Sequence, residues 1–342
     1  MLAFMTDVTS LLQSASVPGG VACWGDAGGA AAAIPFGVTS YGRAPVTEDT
    51  RYDLASLTKV VATLPAILRL ASDGELDLDA PIRRHFSAAG SGQQPSLGDV
   101  TPRQLLSHSG GLPAFSRVHT ITDNRRIALA GSLQMTLDSE PGTQTVYSDV
   151  GFMLLGALVE RISGQRLDRF VAEQVFGPLD MNETHFNPLD TPAIPADYAA
   201  TEDCGWRNRL LLGEVHDENC IAWEGVAGHA GLFGPARDLA TYAGAWLNLD
   251  ERLGKPELLR ETMRERGRTQ GGERRGLGWV VGPANLSAGK PGYGHTGFTG
   301  TSLWIEPEAG RFAVLLTNRV HPDRNTITGI HELRADFHRL VL

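Results

Sequence analysis

At 342 residues, with 42% hydrophobic and 20% charged side chains, the chain has the composition of a globular protein that buries a sizeable core, as one large domain or two intertwined lobes. A net charge of −9 argues against nucleic-acid binding, and the densest basic stretch, Arg260 to Arg275, is interleaved with Glu and Gly like a solvated face. Cys23, Cys204 and Cys220 are odd in number and lack metal spacing, so they read as small buried hydrophobes rather than a disulfide framework.

Residues 4–16 predict an opening helix stopped by "VPGG". This segment has no basic start, and Asp7 interrupts its apolar stretch, which disfavours a secretory signal and makes the cytoplasm the default location, with the periplasm or exterior as the alternative if a leader has been trimmed. No run of about 18 apolar residues is seen that would span a membrane. "GVACWGD" and "AAIPFGVTSYG" follow as a hairpin-like pair of strands. From Leu54 the pattern turns helical, with Leu57, Val60, Val61, Leu64, Leu68 and Ala71 at helical spacing and Pro65 predicted to bend the run. In "TPRQLLSHSGGLP", Thr101, Pro102 and Gln104 combine a capping box with proline at the first helical position. "GFMLLGALVERISG" sets Phe152, Leu155, Leu158, Val159 and Ile162 on one stripe, and "RLDRFVAEQVFGPL" predicts a further helix. Residues 180–233, rich in Asn, Asp, Pro and Gly, predict a long irregular excursion before the helix of "PARDLATYAGAWLNL". "LGWVVG", "TSLWIEP" and "RFAVLLTNR" are strand-like, and a last helix puts Ile327, Ile330, Leu333, Phe337 and Leu340 on one face. The predicted fold is α+β: a sheet lobe from residues 1–55 and 275–342, and a helical lobe from 56–274, together one catalytic domain.

One position breaks the chain's habits. Lys59, Lys255 and Lys290 are its lysines and every other cation is Arg, yet Lys59 sits in the most apolar neighbourhood, three residues after Ser56. That spacing places both side chains on one helix face. A serine hydroxyl needs a neighbouring base to become a nucleophile; Arg stays charged, whereas Lys can take part in proton transfer. A capping Ser followed by a snorkelling Lys is the bland alternative. Two further motifs weigh against it: Tyr147-Ser148-Asp149 just before a helix, and His295-Thr296-Gly297 at the entrance to a strand. S-x-x-K, a polar triplet and an x-T-G box in that order are the arrangement of penicillin-recognising serine enzymes.

The chain resembles the class C β-lactamase-like serine hydrolases, a group with penicillin-binding proteins, D-amino-acid peptidases and esterases. "PVTEDTRYDLASLTKVVATLPAILRLASDGELDLDAPI", "TPRQLLSHSGGLP", "EPGTQTVYSDVGFMLLGALVERISGQRL", "GHAGLFGPARDLATY" and "GHTGFTGTSLWIEPEAGRFAVLLTN" follow family blocks in family order. The resemblance implies an antiparallel sheet flanked by terminal helices with an inserted all-helical region. It also implies that Ser56 forms an acyl-enzyme, that Lys59 and Tyr147 share the proton transfers, and that the backbone N–H groups of Ser56 and Phe298 form the oxyanion hole. His295 and Thr296, with Gly297, would meet the substrate. Two departures stand out. His295 replaces the usual Lys, which weakens carboxylate recognition, and Asp149 replaces the common Asn, which favours a protonated Lys59 and points to Tyr147 as the base.

"VHDENCIAWEGVAGHAGLF" resembles a subgroup that includes cell-wall recycling amidases, so His216, Asp217 and His229 are candidate substrate contacts, with a polar loop network as the alternative. No cofactor or metal is expected, for no metal-ligand spacing appears. Expected partners are small-molecule, short-peptide or muropeptide substrates; the oligomeric state is open. The function expected is amide or ester hydrolysis, with β-lactamase or D-alanyl carboxypeptidase, general carboxylesterase, and a non-hydrolytic scaffold as alternatives.

Overall fold

A computed structural model describes residues 2–28, 31–87, 96–190, 197–282, 291–326 and 328–342. Its frame is an antiparallel sheet of eight strands: β1 (Gly19–Asp26), β2 (Ala31–Gly37), β3 (Gly267–Arg268), β4 (Arg274–Arg275), β5 (Val280–Val281), β6 (Tyr293–Thr296), β7 (Ser302–Glu306) and β8 (Arg311–Thr317). Their spatial order is β2-β1-β8-β7-β6-β5-β4-β3, so strands from the two ends of the chain meet where Gly20 pairs with Thr317 and Asp26 with Arg311. The sheet takes in residues from 267 onward, a little before the division placed at 274/275.

The near-continuous apolar run of β8 follows from burial on both faces. Phe312, Val314 and Leu316 enter the larger core shared with the helices. Ala313 and Leu315 point the other way, against Val8 and Leu12 of helix α1 (Leu2–Gln13) and the terminal helix. That terminal helix buries Ile330, Leu333, Phe337 and Val341; Leu340 is 39% exposed, because a 3.6-residue turn continues the stripe from 337 to 341. Ile327 lies outside the described residues.

Among the helices on the other face are α2 (Leu64–Ser72), α3 (Asp149–Ser163) and α4 (Ala236–Leu247), with α5 (Ile330–Val341) closing the chain. Leu57, Val60, Val61, Leu64 and Leu68 are all buried. Around Pro65, where a bend is expected, a π-helical segment over Lys59–Thr63 runs directly into α2 with Pro65 in its first turn. The capping box of Thr101 and Gln104 is present in full. By length and composition Ala55–Ser72 is apolar enough to cross a membrane, contrary to the sequence reading, but 78% of it is buried inside the fold, the mark of a core helix. Helix α3 is buried on every side from Val150 to Val159, while Ile162 is only partly covered.

The 180–233 excursion is more ordered than its composition suggests. Its short strands His185–Phe186 and Leu232–Gly234 pair in one small sheet with Tyr52–Asp53, and Ala200–Cys204 pairs with Arg209–Leu212 in another; residues 191–196 lie outside the described set. All three cysteines are buried and unbridged.

Candidate active site

Asp53 and the residues after it set the geometry. The Asp53 carboxylate is fully buried and accepts hydrogen bonds from Ala55 N–H at 2.8 Å and from His216 N–H at 2.7 Å. It thereby joins the turn before Ser56 to the 215–217 loop. Ala55 is held at φ +47°, a conformation that costs a non-glycine residue about 1–3 kcal/mol and persists only where its surroundings over-determine it. Ser56 follows in a single 3-10 turn, Ala55–Leu57, and Lys59 opens the π-helical segment.

Oxygens surround the Lys59 ammonium, which is fully buried: Ser56 Oγ at 3.0 Å, the His229 carbonyl at 3.2 Å, Asp149 Oδ1 at 2.7 Å and the hydroxyl of Tyr147. An ammonium has donors and no acceptor, so an all-oxygen surrounding suits it. Burial works against its charge, but Asp149 and Tyr147 outweigh burial and hold the amine above its ordinary value. Asp149 is placed by Ser148, which caps α3 by accepting from Gly151 N–H and donates its own hydroxyl to Pro113 O at 2.7 Å.

Tyr147 stands between two cations: Lys59 Nζ lies 5.0 Å and Arg275 Cζ 4.7 Å from its ring centroid. His108 packs against the same ring at 4.6 Å and accepts from Ser148 N–H at 3.1 Å, bracing the turn. Arg275 is only 5% exposed, which corrects the reading of its stretch as a solvated face; β4 carries it inward, and Nη2 pairs with Glu273.

His295 lies near the end of β6 rather than at a strand entrance, and Gly297 begins the following turn. Its Nδ1 lies 2.8 Å from Thr296 O, which assigns the proton to Nδ1 and leaves Nε2 to accept from Arg275 Nη1 at 3.3 Å. Burial, then Arg275 and Lys59, push this imidazole well below its ordinary value, so it is neutral at pH 7.

A cavity of about 470 Å³ opens over Ser56. Tyr147, Asp149, His216, Asp217, His295, Thr296 and Phe298 line it together with Ser56, as the sequence grouped them. His229 and Gly297 are not on its wall. His229 is 1% exposed and its Nε2 bonds Asp217 Oδ1 at 2.9 Å, while a Cβ on Gly297 would come within 2.1 Å of Thr301 Oγ1. Asp217 is held well below the carboxylate range: burial opposes its charge, and His229 and the Cys220 N–H more than compensate. His216 stacks on the Phe298 ring at 5.6 Å and meets Glu202 at 3.2 Å.

Phe115, Glu218, Arg275 and Arg324 also face the cavity and carried no sequence signal. Thr299 and Thr301 had one, in the hydroxyl-rich "TGFTGTS". Their hydroxyls donate to Asp53 O at 2.7 Å and Leu54 O at 3.1 Å, stitching the turn after β6 to the segment that carries Ser56. Trp223 fills core, whereas Trp206 is 59% exposed.

One backbone contact fixes the Lys59 cradle. A Cβ on Gly228 would lie 2.0 Å from Phe152 O and 2.9 Å from Gly156 N, so only glycine lets the 228–229 strand of chain approach α3 and present His229 O to Lys59. Gly228→Ala is expected to destabilise the protein by about 1–3 kcal/mol, read as a lower urea midpoint. An unchanged midpoint would show that the close approach is not needed.

Residues 5–335 match the family model described as Beta-lactamase. Over 311 residues the chain is 33% identical to "N-acetylmuramyl-L-alanine amidase" of Bacillus subtilis (strain 168), covering 80% of this chain and 68% of that protein. Over 310 residues it is 37% identical to "Putative D-alanyl-D-alanine carboxypeptidase" of Escherichia coli (strain K12), covering 80% and 70%. Among solved structures, the octameric penicillin-binding protein homologue from Pyrococcus abyssi superposes with a TM-score of 0.74 at 24% identity, over 93% of this chain and 73% of that one. EstCE1, "a hydrolase with promiscuous acyltransferase activity", superposes at 0.77 with 20% identity over 99% of each chain. These two likenesses concern the fold, which agrees with the antiparallel sheet and inserted helices expected from the sequence.

Proposed function

This chain belongs to the Beta-lactamase family and is a serine hydrolase; from that premise we propose that it cleaves a small peptidoglycan-derived amide through an acyl-enzyme on Ser56. The observation that carries the proposal is the 3.0 Å contact between Lys59 Nζ and Ser56 Oγ, at the floor of an open cavity.

In this reading Ser56 Oγ attacks the substrate carbonyl and its proton passes to Tyr147. Lys59 is disqualified as the base by its ion pair with Asp149, which keeps it an ammonium. Its work is to orient Ser56 Oγ and, with Arg275, to set two cations against the Tyr147 ring. The tetrahedral oxyanion is taken by the N–H groups of Ser56 and Phe298. Tyr147 returns the proton to the leaving amine, and water then repeats the sequence to release the acid.

The charge of the cavity favours an amidase over a carboxypeptidase. A carboxypeptidase must hold a terminal carboxylate, yet His295 is neutral, Arg275 is engaged by Glu273, and Arg324 is bound by Glu202 and by Glu218 at 2.7 Å. Asp217 and Glu218 instead offer acceptors to hydroxyl and amide N–H groups, which sugars and peptides carry in number. The relative named as an amidase supports the same substrate class.

Intact-mass analysis after exposure to a fluorophosphonate and to a penicillin tests this. The expected result is one fluorophosphonate adduct, absent in Ser56→Ala, and no stable or turned-over penicillin adduct. Labelling that persists in Ser56→Ala would end the proposal, and steady penicillin turnover would move the chain to the β-lactamase reading.

A further inference from the structure

We propose that Arg334 is a positioning residue for catalysis: from behind the cleft it fixes and polarises the peptide unit whose N–H belongs to Phe298. This rests on the reading of Ser56 as nucleophile and of the Phe298 N–H as an oxyanion donor.

Arg334 lies on α5 and is 4% exposed. Its Nη2 donates to Gly297 O at 2.7 Å and to Thr301 O at 2.8 Å, spanning both ends of the turn that follows β6. Gly297 C=O and Phe298 N–H are two ends of one trans peptide plane, so they point in opposite directions. A donor seated on Gly297 O therefore fixes the line along which the Phe298 N–H is aimed, and Phe298 lies on the cavity wall. A charged donor does more, for it draws electron density through the amide and makes the far N–H a stronger donor.

The charge of Arg334 is not spent on a carboxylate. No ion pair is formed by Arg334 or by its neighbour Arg319 among the described residues, and Arg334 Nε is buried without a partner. Arg319 repeats the arrangement one peptide further on, donating Nε to Phe298 O at 2.9 Å with its guanidinium 4.6 Å over the Phe298 ring. Filling that space would need only an apolar side chain, and burying an uncompensated cation is costly. What the cation adds is its effect on the two carbonyls it touches. From the other side Thr299 and Thr301 tie the same turn to Asp53 and Leu54, so the two oxyanion donors are held at a fixed separation.

The test compares wild type, Arg334→Gln and Arg334→Lys in p-nitrophenyl ester hydrolysis and in binding of phenylboronic acid. That probe adds Ser56 Oγ to boron, which becomes a tetrahedral anion as the hydroxyl proton passes to the base. Arg334→Gln is expected to lower kcat about 10- to 100-fold with KM within about 2-fold, and to weaken boronate binding by a similar factor, while Arg334→Lys restores most of both. Loss confined to KM, or kcat and boronate affinity both within about 2-fold of wild type in folded Arg334→Gln, would overturn the proposal. If Arg334→Gln does not fold, Arg334→Lys decides alone: kcat within about 5-fold supports the role of the charge, and a larger loss at an unchanged melting temperature overturns it. Failure of the underlying reading would look different, because wild type would then form no boronate adduct and Ser56→Ala would keep its activity.

Discussion

Tyr147→Phe is expected to lower kcat by about 10²- to 10⁴-fold while leaving the fold intact, because it removes one oxygen from a half-buried ring whose packing is kept. The magnitude is that of a general acid–base group. The direction comes from the proposed roles, in which Lys59, paired with Asp149 at 2.7 Å and shifted toward its ammonium form, does not take the Ser56 proton. Lys59→Met should also be severely impaired, for a different reason: Ser56 Oγ loses its orienting donor, and Asp149 is left without its counter-charge. Rate–pH profiles of the two variants distinguish the roles. Full activity of Tyr147→Phe across pH, with Lys59→Met inactive, would reverse the assignment and make Lys59 the base.

Acidification should destabilise the protein steeply from pH 6.5 downward, before carboxylates begin to titrate in the unfolded chain. His108 and His295 are both buried, and both are pushed well below 6.5 by burial and then by the cations Arg275 and Lys59. Above pH 6.5 each ring is neutral whether folded or not, and stability does not depend on it. Below pH 6.5 the unfolded chain takes up protons that the folded chain refuses, so stability falls by about 1.4 kcal/mol per pH unit for each ring. Two such rings remove about 3 kcal/mol by pH 5.5, a large part of a typical folding free energy of about 5–15 kcal/mol. His185 and His321 shift in the same sense; Asp53, raised by burial, acts in the opposite one as pH falls into its own range. Urea midpoints at pH 7.5, 6.5 and 5.5 measure the slope. A flat wild-type profile would contradict the account, as would an equal slope in the His108→Asn/His295→Asn double variant.

The grouping of Ser56, Lys59 and Tyr147 was legible because its signals are local. Ser56 and Lys59 are joined by helical spacing, and the scarcity of Lys in an Arg-rich chain made Lys59 conspicuous. Strands β1, β2, β5, β7 and β8 were legible for the same reason, since strand-forming runs and turn residues operate within a few positions, whereas the short β3, β4 and β6 were not read as strands. Where local signals compete, the reading slipped: Leu340 fits an apolar stripe as well as Val341, and only packing against the sheet selects one. The excursion at 180–233 looked irregular because its strands are short, and those at His185–Phe186 and Leu232–Gly234 pair across more than 40 residues and with Tyr52–Asp53.

The arginines behind and beneath the site were not legible at all. Nothing near Arg275 or Arg334 in the chain says that one will lie over Tyr147 and the other behind Gly297, since the partners are more than 100 and more than 30 residues away. The same holds for Asp53, whose carboxylate joins Ala55 to a loop 163 residues distant. By itself, then, the sequence determined the fold class and paired Ser56 with Lys59, because periodicity and motif spacing are properties of adjacent residues. Tertiary structure alone decided the burial of Lys59 and His295 and the cations set beside Tyr147, because burial and charge–charge distance exist only once remote segments have been brought together.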